Sequence, residues 1–119
     1  MPIVINSAPA QVEGSNVELT LQDSGSAHVS FTIFIEDVTP TPLQWDETFV
    51  GSKTFTLPMA AGTYKCDILI AAFDTNNALG PVYRPEILLN GTAFASAKGK
   101  VPKKQSGDFG FKTETIIVT

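Results

Sequence analysis

The 119-residue chain contains one cysteine, Cys66, and one histidine, His28. A lone cysteine cannot close an internal disulfide, and two such residues leave a structural zinc site without its four ligands. His28 opens a strand on its polar face. It therefore leaves Ser-His-acid or Cys-His catalysis without a base in reach of a nucleophile. The glycines of "NALGPV" and "SAKGKV" lack the spacing of a P-loop or a dinucleotide fingerprint. The acidic doublets Glu36-Asp37 and Asp46-Glu47 send neighbouring carboxyl groups to opposite faces of a strand, which argues against paired-acid glycoside hydrolysis. No enzyme is expected. No apolar run approaches the roughly 18 residues that read as a membrane span, so no membrane insertion is expected. The start "MPIVINSAPA" shows neither the basic nor the long apolar region of a classical signal peptide, as expected of a cytoplasmic chain, of one exported by a specialised route, or of a mature chain lacking its signal, so the location stays open.

Basic charge is missing from the whole first stretch. Residues 1–52 hold seven acids (Glu13, Glu18, Asp23, Glu36, Asp37, Asp46 and Glu47) and no lysine or arginine, whereas the remainder holds eight basic residues against five acids. Such asymmetry marks either complementary surfaces on copies of one chain, a charged partner, or two solvated faces that the fold intermixes. With a pI near 4.7 and no basic aromatic stripe, nucleic acid is a poor partner.

What is present is a globular composition, 43% hydrophobic with eight phenylalanines, over a length suited to one domain spanning residues 1–119. Polar and apolar residues alternate with the period of half-buried strands. In "HVSFTIFIED" Val29, Phe31, Ile33 and Ile35 share one side, and "NVELTLQ" repeats the pattern with Val17, Leu19 and Leu21. "KTFTLP", the N-terminal "IVI" and the C-terminal "FGFKTETIIVT" supply further strands. Asn90-Gly91 in "EILLNGTAFAS" is a type I′ hairpin turn that predicts Leu89 opposite Thr92 and Ile87 opposite Phe94. "SAPAQVEGS", "DSGSA", "TPTP", "PMAAG", "DTNNALGPVYRP" and "KKQSGD" read as turns. About eight such strands predict an all-β, two-sheet antiparallel β-sandwich, immunoglobulin-like as first choice and jelly roll as second. The segment "AAGTYKC", with Tyr64 two residues before Cys66, resembles a late immunoglobulin strand, although the early partner cysteine is missing from "VSFTIF".

Candidate sites follow from that frame. In "YKCDILIAAFD" the side Cys66-Ile68-Ile70-Ala72 suits a core, and the other side is also apolar. Leu69, Ala71 and Phe73, joined by Phe34, are therefore expected to be covered by another subunit, a loop or a ligand. Self-association or a protein partner is the first functional expectation. The second is a carbohydrate site, with Trp45 or Tyr83 as stacking platform beside Asp46, Asp74, Asn76 and Asn77. The last three also offer oxygen ligands of the kind calcium takes, or serve as ordinary turn formers. Lys98, Lys100, Lys103 and Lys104 form a candidate anion site, or a basic tip that protects a sheet edge.

Overall fold

The computed structural model describes residues 3–47, 51–73, 81–101 and 107–119. Among the described residues twelve strands run in chain order: β1 (Asn6–Ser7), β2 (Ala10–Val12), β3 (Asn16–Asp23), β4 (His28–Ile35), β5 (Leu43–Glu47), β6 (Gly51–Pro58), β7 (Gly62–Phe73), β8 (Val82–Tyr83), β9 (Pro85–Leu89), β10 (Thr92–Ser96), β11 (Gly99–Lys100) and β12 (Asp108–Val118). Among the described residues there is no helix. Sheet I has the order β1-β10-β9-β3-β6, sheet II the order β2-β12-β7-β4-β5, and β11 pairs with β8 in a small ribbon. The result is a β-sandwich.

The alternating pattern explains the layering. In β3 Val17, Leu19 and Leu21 are buried, and in β4 Val29, Phe31, Ile33 and Ile35 are buried, each flanked by residues that reach solvent. With Cys66, Ile68, Ile70 and Ala72 of β7, Ile87 and Leu89 of β9, and Ile116 and Val118 of β12, they form one cluster between the sheets. Each large member contributes on the order of 1.5–3 kcal/mol by leaving water.

Several details differ from the expected strand map, including a strand at Leu43–Glu47 and another at Val82–Tyr83, the latter inside the expected turn "DTNNALGPVYRP". The stretch "SAPAQVEGS" is not all turn, because Ala10–Val12 pairs with Ile116–Val118. That pairing is parallel, so sheet II is not purely antiparallel. The hairpin turn forms as expected, with positive φ at Asn90 (49°) and Gly91 (80°) and Leu89 opposite Thr92. A bulge between Ala93 and Ala95 then places Ala95, not Phe94, opposite Ile87. The extra residue sends both Phe94 and Ala95 inward. Asn90 also ties the hairpin tip to β3: its side-chain oxygen accepts from the Glu18 amide at 2.9 Å, and its own amide donates to the Glu18 carbonyl at 2.8 Å.

The N-terminal segment divides between the sheets. The Ile3 amide donates to the Phe109 carbonyl on sheet II, β1 then pairs with β10 on sheet I, and β2 returns to β12. Gly110 permits the first of these contacts, since a Cβ there would collide with the Ile3 carbonyl oxygen. Between the two contacts Glu114, on the inward side of β12, accepts from the Ser7 hydroxyl at 2.7 Å.

Candidate docking face

Sheet II has an outward surface that the register defines row by row. Across β12, β7, β4 and β5, Phe109 lies opposite Ala71, Ala71 opposite Ser30, and Ser30 opposite Asp46. The next row is Phe111, Leu69, Thr32 and Gln44, and the one after it Thr113, Asp67 and Phe34. Phe73 lies opposite His28 at the other end, their ring centroids 6.0 Å apart. Residues directly opposite in an antiparallel pair share a face, so Phe109, Phe111, Leu69, Ala71, Phe73 and Phe34 all point away from the core.

They reach solvent to different extents. Phe109 and Phe111 are 67% and 64% exposed, Leu69 and Phe73 each 37%, and Ala71 and Phe34 are half-buried. The expected apolar side of β7 therefore exists in space, and β12 enlarges it with two phenylalanines that local sequence places only on an outer strand. Parity within "DFGFKTETIIV" was the available signal. Ile116 and Val118 are buried, which makes the even positions inward and forces Phe109 and Phe111 outward. Around this surface stand Glu36, Asp46 and Asp67 with Lys65, an acidic rim on balance. Asp67 accepts from the Thr113 hydroxyl at 2.7 Å, and Asp46 lies 3.9 Å from His28 Nε2.

Of the proposed carbohydrate residues, the described ones, Trp45, Asp46 and Tyr83, do not share one face. Trp45 lies opposite Phe31 on the inward side of β5, half-buried and stacked on that ring at 5.8 Å and 19°. Asp46, one residue on, faces outward. Tyr83 is buried in β8 opposite Gly99, and burial, reinforced by the charge of Asp108, raises its pKa. Neither aromatic ring is therefore an exposed platform. The expectation failed because a tryptophan and a tyrosine in proline-rich sequence look alike whether they cap a core or meet a ligand. Asp74, Asn76 and Asn77 lie outside the described residues, as do Lys103 and Lys104. Lys98 and Lys100 are exposed, and Lys98 lines a shallow hollow of about 380 Å³ with Arg84 and Glu86, so an acid shares its wall.

Comparison with known proteins adds nothing to this geometry. No family model, curated protein or solved structure matches the chain.

Two buried groups elsewhere serve the fold. Asp23 is buried, and its Oδ1 accepts from the amides of Gly25 (3.1 Å) and Arg84 (3.0 Å), joining two loops at one end of the sandwich. Cys66 lies between the sheets, where burial, then Asp67 and Glu114, push its thiol up from 9.0 to about 12. It is a small core residue and not a nucleophile. A cleft of about 450 Å³ between β2 and the β9–β10 hairpin has Glu13 as the one ionisable side chain on its wall among the described residues. Among the described residues no three His, Cys, Asp or Glu side chains gather closely enough to hold a metal ion.

Proposed function

We propose that the chain is a non-enzymatic structural module that docks protein through the outer face of sheet II and is able to associate with itself. The observation that carries this reading is the pair Phe109 and Phe111, both about two-thirds exposed, on the same sheet face as Leu69 and Phe73. Contiguous exposed apolar patches of this kind mark interaction sites more often than isolated surface residues do. The acidic rim disfavours anionic lipid and nucleic acid as occupants.

Within the sandwich class, an immunoglobulin-like arrangement is the reading we favour over a jelly roll. The order β12-β7-β4-β5 follows the G-F-C-C′ order of such domains, with β3 and β6 as the paired strands B and E. Tyr64, at the start of β7 and two residues before Cys66, donates its hydroxyl to the Ala60 carbonyl at 2.6 Å, the geometry of a tyrosine corner. The β9–β10 hairpin is then an insertion between β1 and β3. The alternative function, a carbohydrate module assisted by calcium, is weaker because Trp45 and Tyr83 face the core.

The test is affinity capture from the native cell extract with the wild type and with Phe109→Glu/Phe111→Glu, scoring both this chain and other proteins. Captured species lost in the double variant support a docking face. Identical capture by both forms overturns it. Glycan binding with calcium, retained in the double variant, would favour the alternative.

A further inference from the structure

A docking face does not by itself name its occupant, but the layout of this one selects it. Along β12 the outward side chains of the two central rows are large, Phe109 and Phe111. Along β4, two strands away, they are small, Ser30 and Thr32, with Ala71 and Leu69 of β7 between them. The face is thus a step, an aromatic ridge beside a shelf.

Building on the docking reading, and dependent on it, we propose that the occupant is a second copy of this chain, stacked face to face about a two-fold axis running along β7. That operation lays β12 of one copy over β4 of the other. Phe109 then covers Ser30, Phe111 covers Thr32, and Leu69 and Ala71 meet their own equivalents at the axis. Ridge fills shelf twice, which is the self-complementarity an isologous interface requires. An axis across the strands stacks ridge on ridge and shelf on shelf, which a uniform sheet separation of about 10 Å does not accommodate.

The area is adequate for such a pairing. At about 200 Å² per phenylalanine, the two ridge residues with Phe73 and Leu69 leave roughly 400 Å² of apolar surface in water. The shelf and the rim residues bring the face toward the roughly 600 Å² per partner at the lower end of specific interfaces. Charge works against the pair: the two Asp67 carboxylates approach each other near the axis, so the contact is apolar in origin and tolerates salt.

The experiment is sedimentation equilibrium from about 1 µM to about 1 mM, at about 0.05 and about 0.5 M salt, concentrations suited to a weak, small interface. The wild type is expected to dimerise, as tightly or more tightly at high salt. Phe109→Glu and Phe111→Glu are each expected to weaken it at least about thirtyfold, with circular dichroism confirming the fold and Phe111→Thr as the milder variant. Thr32→Tyr decides the geometry. It adds apolar surface yet fills the shelf, so the proposed dimer weakens, whereas a merely adhesive face would associate more tightly and overturn the two-fold arrangement. Ala71→Cys copies should be joined by a bis-maleimide of about 10 Å reach, with buried Cys66 as the silent control. A wild type monomeric throughout, or a dimer lost at high salt, overturns the proposal. If the capture experiment still shows another protein lost with Phe109→Glu/Phe111→Glu, the docking face stands and only its occupant is wrong.

Discussion

The two sheets each have five strands and close over the same core, but their outer faces are chemically different. On sheet I the outward residues of β3 and its neighbours pair through polar groups. The hydroxyls of Thr20 and Thr54 share a hydrogen bond at 3.0 Å, and Gln22 donates to Glu86 at 3.2 Å. On sheet II the corresponding positions of β12 and β7 carry Phe109, Phe111, Leu69 and Phe73. Cross-strand pairs of either kind hold a sheet together, each worth a few tenths to about 1 kcal/mol. Sheet I therefore holds together through polar outward pairs, whereas the phenylalanines of sheet II are the residues on which the proposed docking rests.

The most forceful way to break that comparison is to show that inward and outward aromatic residues matter alike. Phe31→Ala, which empties a fully buried position under Trp45, is expected to cost about 3–5 kcal/mol in denaturant unfolding. If Phe111→Ala cost as much, the outer face would be structural and the contrast would collapse. Next in size, Asp23→Ala strands the Gly25 and Arg84 amides at one end of the sandwich and should lose roughly 2 kcal/mol. Asp23→Asn, which keeps an acceptor oxygen, should lose less. Transplanting the contrast sharpens it: Thr20→Phe/Thr54→Phe gives sheet I an aromatic strip, and light scattering should then report assemblies larger than those of the wild type.

A smaller effect appears with pH. The Cys66 thiol ionises near 9.0 in the unfolded chain but at about 12 in the fold. The folded state thus holds the proton over that interval, and stability falls as pH rises from about 9 toward 12. Cys66→Ala should flatten this alkaline slope in urea unfolding. At the acid end the Ser7 hydroxyl holds Glu114 below its ordinary 4.5. That contribution is present above this value and is lost as pH drops through the folded one, so Glu114→Gln should reduce the acid sensitivity. The smallest change is the outward one: in protein dilute enough to be monomeric, Phe111→Ala is expected to alter unfolding by no more than about 0.5 kcal/mol.

Much of the frame was legible because alternation is a direct image of a half-buried strand. Val29 to Ile35, Cys66 to Ala72 and the Asn90-Gly91 turn could be placed from their neighbours alone, and Leu69, Ala71 and Phe73 were identified as a second apolar side. Phe109 and Phe111 were not, since "FGF" gives no hint of which side meets the core until Ile116 and Val118 set the parity. Trp45 and Tyr83 misled for a related reason: local sequence reports that a ring is present, while its direction depends on a partner strand far away. The parallel β2–β12 pair was illegible because its two halves are separated by nearly the whole chain.

That separation imposes an order in time. The Ser7 hydroxyl finds its acceptor on a residue translated 107 positions later, and Ala10–Val12 waits equally long for Ile116–Val118. Bringing such distant segments together is slow, because loop entropy is lost before any contact rewards it. Until β12 emerges, Ala10–Val12 lacks the edge it joins, and the Phe109–Phe111 ridge does not yet exist. The Phe109–Phe111 ridge forms only when β12 pairs with β7, so the face proposed for docking arises with the same late strand that extends sheet II.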